Sequence, residues 1–383
     1  MARLGDVCSY ITDGSHNPPQ GLENSDYYML SSKNIDDDRI TLESPRYLSS
    51  VDFESENKRT QVTSGDLLMT IVGTIGKVAI VSEDMPPFCV QRSVAVIKSK
   101  HNIIYNRFLM YQLQSMRSYL EKESRGVAQK GIYLKQLINL SISVPPMTEQ
   151  KYIANVLDRV SSLISLRKHQ LDNLDELVKA RFVEMFGDPV TNTFRWNKQA
   201  LGMLCDVRDG THDSPEYFET GYPLVTSKNV TGGKIDLTSC NLISEAAYIQ
   251  INERSKVDYG DIIMPMIGTV GKPIIVDIEP RFAIKNVALI KFPPHCTVQN
   301  VYIRALLESD YFDRAVISKV RGGTQKFIAL GDIRKLEILV PDNETQQQFA
   351  TFVEQTDKSR LTIQQGLDKL GMMKKALMQE YFG

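Results

Sequence analysis

The sequence predicts an α+β chain: two similar mixed α/β domains separated by two long helices that pair as an antiparallel coiled coil, related by a pseudo-twofold internal repeat. Three observations predict it. Short motifs of the first half return in the second at a nearly constant offset, β-rich runs occupy the body of each half, and each half closes on a long stretch of helical periodicity.

The repeat is legible in order along the chain. "ITDGSHNPP" (11–19) returns as "VRDGTHDSP" (207–215), placing Asp209, Gly210, Thr211 and His212 196 positions after Asp13, Gly14, Ser15 and His16. "LSSKNI" (30–35) returns as "VTSKNV" (225–230), and "GDLLMTIVGTIGK" (65–77) as "GDIIMPMIGTVGK" (260–272), both at an offset of 195. "RGVAQKGIYLKQLINLSISVPP" (125–146) aligns with "RGGTQKFIALGDIRKLEILVPD" (321–342), with ten identities in 22 positions. Even the endings agree, Glu184-Met185-Phe186-Gly187 with Glu380-Tyr381-Phe382-Gly383. A period this long exceeds the roughly 20–50 residues of solenoid repeats, so each unit is a domain plus an appendage.

Within a unit, "DLLMTIV", "KVAIV" and "SVAVIKS" are rich in β-branched residues and predict strands, with Gly73-Thr74-Ile75-Gly76 as the turn between the first two. From about Tyr105 to Ser124, the spacing of Phe108, Leu109, Tyr111, Leu113, Met116 and Leu120 predicts an amphipathic helix. After Pro145-Pro146, Thr148 can cap a helix and Glu149 suits its positive end; no Pro or Gly follows until Gly187 and Pro189 stop it. Steps of three and four then run through Gln150, Ile153, Leu157, Val160, Ile164, Arg167, Leu171, Leu174, Val178, Arg181 and Met185, a coiled-coil seam. The second unit repeats it through Phe349, Val353, Ile363, Leu367, Leu370, Leu377 and Tyr381, with polar breaks at Gln346, Thr356, Arg360 and Lys374. Two such seams in one chain pair most simply with each other, giving rods of roughly 57 Å; the alternative is that each helix packs only its own domain's flank. The expected organisation is a domain over 1–147, a spacer helix over 148–187, a second domain over 188–343 and a second helix over 344–383.

Composition bounds the function. At 383 residues with 42% hydrophobic and 24% charged residues, the chain reads as a soluble globular protein of two or three domains. No run has the apolar length of a membrane span, and the start, Met1-Ala2-Arg3-Leu4-Gly5-Asp6, lacks a signal peptide's apolar core; a cytoplasmic location is expected. Five dispersed cysteines without a CxxC indicate neither a zinc ribbon nor a disulfide framework. A net charge of −1 argues neither for nor against nucleic acid, since a basic face can be offset elsewhere.

No catalytic constellation emerges. "GTIGK" has only two residues between its glycines and Val78 after the lysine, so it reads as a hairpin turn and not a phosphate loop. "NPPQ" (17–20) resembles the loop with which amino-methyltransferases grip an exocyclic amine, but Gln20 replaces the stacking ring and the second unit has Asp213-Ser214-Pro215-Glu216. His16 and His212 lie three residues after Asp13 and Asp209; a loop held by side-chain bonds to the backbone is preferred to a metal site, because no further His or Cys stands nearby. The chain is expected to catalyse nothing by itself, and to bind no metal or cofactor.

The doubled "DGSH/DGTH", "SKN" and "GTxGK", the "RG..QK.I..L" block before "VP", and the two helices ending in "FG" together resemble the specificity (S) subunit of type I restriction-modification systems, over essentially the whole chain. The resemblance implies two target-recognition domains, each reading one half of a bipartite, asymmetric double-stranded DNA target, with the helix pair as a ruler. It also implies two methyltransferase subunits, which carry S-adenosylmethionine, and restriction subunits, which use ATP and Mg2+. The recognition subunit of a type II system with fused activities is a near alternative, and a two-headed protein-binding scaffold a distant one.

The repeat also filters candidate DNA contacts. Residues shared by both halves cannot distinguish two targets and should hold phosphate, sugar or the fold itself. Candidate backbone contacts are therefore Lys33 and Lys228, Lys77 and Lys272, Arg125 and Arg321, and Lys130 and Lys326, with Thr74 and Thr269 of the GTxGK loop and Ser15, His16, Thr211 and His212 of the doubled loop. Asn34, Asn229, Gln129 and Gln325 can pair adenine edges, although their recurrence favours shared roles. Discriminating contacts belong where the halves diverge: Gln91-Arg92 against Lys285-Asn286, and 17–23 against 213–220. Each lysine and arginine reads equally well as a solvated surface charge.

Overall fold

The structure, a computed structural model, describes residues 1–124, 131–231, 233–266, 272–316 and 328–383. The chain forms two compact units. One comprises Met1–Lys168 with Gln365–Gly383, the other His169–Gln364, so each unit contains a globular part and half of each long helix.

In the first unit a four-stranded antiparallel sheet is ordered Cys8–Asp13, Val94–Ser99, Leu67–Thr70, Val78–Ile80. The predicted strands thus form, and the hairpin reading of Gly73–Gly76 holds here: Thr70 N donates to Lys77 O at 2.9 Å, and Gly73 and Gly76 both take positive φ of 82°. Strand Leu67–Thr70 is buried along its whole length because each face has a cover. Leu67, Met69, Ala95 and Ile97 face Phe108, Leu109 and Tyr111 of a helix, while Leu68, Val94 and Val96 face Leu30, Phe88 and Val90 of a second sheet. That sheet, ordered Arg46–Leu48, Tyr27–Leu30, Phe88–Val90, is backed by helix Ser50–Thr60 through Phe53.

The second unit repeats the plan. Its larger sheet is ordered Asp206–Asp209, Val287–Lys291, Ile262–Pro265, Ile274–Ile275, and its smaller one Asn241–Ile243, Tyr222–Val225, Ala283–Ile284. Helix Glu245–Ser255 takes the place of Ser50–Thr60.

The expected single helix over 105–124 is two, Asn106–Ser115 and Arg117–Glu123. The chain breaks at Met116 (φ −85°, ψ 2°), which aims Arg117 at the hairpin: its guanidinium donates to Gly76 O at 3.3 Å and pairs with Asp37. The first long helix starts at Met147, not after a Thr148 cap, because Pro146 O accepts from the Glu149 and Gln150 amides. It ends at Phe186, where Gly187 takes a positive φ of 78°. The second runs Asn343–Phe382.

The helix pairing is seen inside each unit. In the first, Ile153, Ala154 and Leu157 share a core with Leu377, Met378, Tyr381 and Phe382. In the second, Phe182 meets Phe349 and Asp175 pairs with Arg360, so the helices run antiparallel. Of the predicted seam, Ile153, Leu157 and Val160 are buried and Ile164, Leu171, Leu174 and Val178 half-buried. Gln150, the seam's first member, and Gln346, a polar break, have another job. Gln150 is 1% exposed; its amide accepts from Tyr105 N and donates to Ile103 O and Pro145 O. Gln346, fully buried, accepts from Gln299 N and donates to Thr297 O and Pro341 O. Each glutamine clamps the start of a long helix to the loop that leads into an earlier helix of its own domain, Asn106–Ser115 or Asn300–Leu307.

Candidate nucleic-acid interface

Sheet topology gathers the doubled motifs. In the first unit the DGSH loop leaves the end of strand Cys8–Asp13, SKN the end of Tyr27–Leu30, GTIGK the end of Leu67–Thr70, and Gln91-Arg92 the end of Phe88–Val90. Antiparallel pairing in the larger sheet and parallel pairing of Tyr27–Leu30 with Phe88–Val90 put all four at one edge. Hydrogen bonds lace them together. Ser15 N donates to Val90 O and Arg92 N to Ser15 O, both at 2.9 Å; Gln91 N donates to Leu30 O at 2.9 Å; Ser32 N donates to Ser93 Oγ at 3.1 Å. In the second unit Thr211 N donates to Ile284 O, Asn286 N to Thr211 O and Lys285 N to Val225 O. The shared loop and the divergent pair, read as separate candidates in the sequence, thus lie side by side, Ser15 bridged to Gln91 and Thr211 to Lys285.

Gly14 and Gly210 recur because nothing larger fits. A β-carbon on Gly14 would stand 1.8 Å from Val90 O, and one on Gly210 2.4 Å from Ile284 O. The aspartates recur because they anchor the loop. Asp13 and Asp209, each 7% exposed, bind His16 Nε2 at 2.8 Å and His212 Nε2 at 2.9 Å with one oxygen. The other oxygen pairs with Arg59 and Arg254, respectively. These arginines escaped the sequence reading, although they stand 195 positions apart in "KRT" and "ERS". With both aspartate oxygens engaged, the loop is a braced turn. Among the described residues no group of three or more potential ligands is placed to hold a metal ion.

Asn34 and Asn229 are corrected from possible base readers to framework. They are 1% and 5% exposed and their amides are used inside the protein. Asn34 accepts from Ser31 N and donates to Glu43 O; Asn229 accepts from Thr226 N and donates to Ser239 Oγ. Lys33, Lys228, Lys272, Thr74 and Arg92 are exposed. Lys77 pairs with Asp36 at 2.9 Å, and its ammonium holds that carboxyl below the usual carboxylate range. Lys285 is half-buried and bonds Ser214 Oγ. Arg125, Gln129, Lys130, Thr269, Arg321, Gln325 and Lys326 lie outside the described residues. Among the described residues that follow these runs, Ile132 N donates to Ile71 O and Ile328 N to Met266 O, both at 2.9 Å.

A cleft of about 330 Å³ opens between SKN and the strand at Arg46, lined by Ser31, Lys33, Ser44, Arg46 and Gln91. Arg46 was also missed; its counterpart 195 positions on is Asn241, a divergence the repeat filter could have flagged.

The chain is 24% identical to the type I restriction enzyme MjaVIII specificity subunit of Methanocaldococcus jannaschii, over 93% of this chain and 85% of that protein. In fold it is similar to the S subunit of a type I restriction-modification system from M. genitalium, at 15% identity and a TM-score of 0.56, covering 100% of this chain and 95% of that one. It is also similar to a chain from a structure of type I system assembly and conformational transition, at 17% identity and a TM-score of 0.55, covering 100% and 96%. The type I restriction modification DNA specificity domain matches twice, over 1–176 and 195–370, and the chain therefore belongs to the family of type I specificity subunits, the non-catalytic recognition subunits of those systems.

Proposed function

We propose that each unit reads one half of a bipartite, asymmetric duplex DNA target through the loop edge that carries the doubled motifs. The observation that carries this is the assembly, twice, of a shared braced loop beside a divergent pair: Gln91-Arg92 in one unit, Lys285-Asn286 in the other. The shared, exposed Lys33 and Lys228 suit phosphate, which positions without specifying, and the divergent residues suit base edges. Arg46 joins the divergent set, because it lines a cleft with Gln91 and Lys33.

The long helices set the gap between half-sites and dock partners: two methyltransferase subunits, which bring S-adenosylmethionine, and restriction subunits, which bring ATP and Mg2+ chemistry. Support comes from Leu163, Leu166, Leu177, Leu361 and Met372, exposed apolar side chains on those helices. Duplex binding by the full chain with its methyltransferase partner tests the reading. Affinity should fall steeply between two salt concentrations, and no salt-dependent binding would remove the proposal. Exchanging residues 1–145 for those of a relative should change one half of the methylated motif and leave the other alone. Inserting four residues near Leu171, with a matching insertion in the second helix, adds about 6 Å and should widen the gap by about two base pairs.

A further inference from the structure

The second unit extends the braced loop by one bond that the first unit lacks. His212 Nε2 lies 2.9 Å from Asp209 Oδ2, and His212 Nδ1 lies 2.9 Å from Asn286 Oδ1. Both partner atoms are oxygens that only accept. A neutral imidazole carries one N–H and can satisfy only one of them; with the Asn286 amide in this orientation N–H is needed on both nitrogens, an imidazolium, whereas the amide turned by half a turn suits the neutral ring. Asp209 supplies the fixed negative charge, and Arg254 braces its other oxygen.

The backbone of Asn286 is pinned. It sits at φ 55°, a left-handed conformation that asparagine tolerates, with its amide on Thr211 O and its carbonyl accepting from Ser227 Oγ. Its side chain is free to turn only about its own bonds. With Oδ1 on the imidazolium, the NH2 group faces away, and no described residue accepts a hydrogen bond from it. When His212 loses a proton, the Asp209 carboxylate retains the Nε2 hydrogen, so Nδ1 becomes a lone pair facing Oδ1. The two acceptors repel. A half-turn of the amide restores the bond, Nδ2–H now donating to Nδ1, and turns Oδ1 outward.

We propose that His212 is a protonation-controlled positioning residue for Asn286, which reads a base edge in one half of the target. Protonated His212 presents the amide NH2 of Asn286, which suits the O6 and N7 acceptors of guanine; neutral His212 presents the carbonyl, which suits the amino donor of cytosine. This rests on the DNA reading of the preceding subsection. The first unit carries no such switch. The backbone bridges place Arg92 where Asn286 stands, and a guanidinium has no acceptor to offer at any pH, so the chain of bonds ends at His16.

The charged groups around His212 are Asp209 and Arg254, with Lys285 directed to Ser214 and Asp213 following in the loop. The Asn286 and Asp209 bonds hold the imidazolium above the ordinary histidine range, against an opposing push from Arg254. The changeover therefore falls above about pH 6.5, with the donor-presenting state on its acid side.

The test uses the full chain with its methyltransferase partner and duplexes carrying each base at every position of the methylated motif, at about pH 6 and about pH 9. At one position, in one half only, preference should move from guanine towards cytosine by about fivefold or more. Asn286→Asp presents carboxylate oxygen at both pH values and should fix the cytosine preference, while the other half's preferences report that the complex is folded and bound. Ring-nitrogen NMR should show both His212 nitrogens protonated at the lower pH. Unchanged preferences at every position with binding intact would overturn the inference, as would a singly protonated His212 at about pH 6. Loss of salt-dependent binding at both pH values would sink the DNA reading as well, and is distinguishable from either.

Discussion

Replacing Gln346 with leucine isolates the clamp at the head of the second long helix. The side chain is fully buried and makes three hydrogen bonds, to Gln299 N at 2.8 Å, Thr297 O at 3.0 Å and Pro341 O at 2.9 Å. Leucine fills most of the same volume, so the cavity contribution is small and the cost is that of three polar groups, the carbonyl of buried Pro341 among them, losing this partner. At about 1 kcal/mol each, the low end of the usual range, the loss is about 3 kcal/mol. The only tryptophan, Trp196, belongs to this unit and donates from Nε1 to Phe186 O at 3.1 Å, so its fluorescence follows unfolding of the second unit specifically. With a urea slope of about 2–3 kcal/mol per molar, the midpoint should fall by roughly 1 M. Gln348→Ala, on the exposed face of the same helix, should change stability by less than about 0.5 kcal/mol. A Gln346→Leu midpoint within about 0.2 M of the parent would refute the clamp, because the loss of three such bonds cannot be that cheap.

Gly14→Ala should destabilise the first unit by about 2 kcal/mol or more in the same denaturation assay, since its new carbon meets Val90 O and must break the Ser15 and Arg92 backbone bonds. Lys33→Ala and Lys228→Ala should each weaken duplex binding on all sequences and lower the slope of log affinity against log salt by about 0.9, measured by titration at several salt concentrations. Among the thiols, Cys296 should alkylate first at mildly alkaline pH. Its neighbour Cys205, 3.6 Å away, shares a proton with it and lowers it from the ordinary thiol range, whereas burial pushes Cys8 and Cys89 up to about 12; peptide mapping after iodoacetamide reads the order.

What the sequence made legible followed from periodicity and repetition. The strand runs, the hairpin at Gly73–Gly76 and both helical seams have periods of 2 or 3.6 that survive in one dimension. What it hid depends on contacts between distant segments. Arg59 is 46 residues from the aspartate it braces, and Asn34 reads as a polar surface residue until Glu43 and Ser31 are seen to close around it. The break at Met116 escaped for the same reason. Nothing in "LQSMRSYL" forbids a continuous helix, and the cause is the pull of Gly76 and Asp37 on Arg117.

The recurrence of a residue in both halves has one physical meaning here and its exposure another, and only the two together sort framework from reader. Asp13 and Asp209, Gly14 and Gly210, Asn34 and Asn229, and Gln150 and Gln346 recur, are buried and direct their polar atoms inward, so their chemistry is already used. Lys33 and Lys228 recur but are exposed, so under the proposed DNA reading they suit phosphate, the ligand feature common to all sequences. Arg92 and Asn286 do not recur, yet occupy one place on one scaffold, each held by a backbone bond from its amide to Ser15 or Thr211. A scaffold that fixes the backbone of a variable position to within a hydrogen bond lets a change of side chain alter what is read without altering where it is read. Duplicating such a unit then puts two different side chains at the same place on one scaffold, which is what the proposed reading of two half-sites needs.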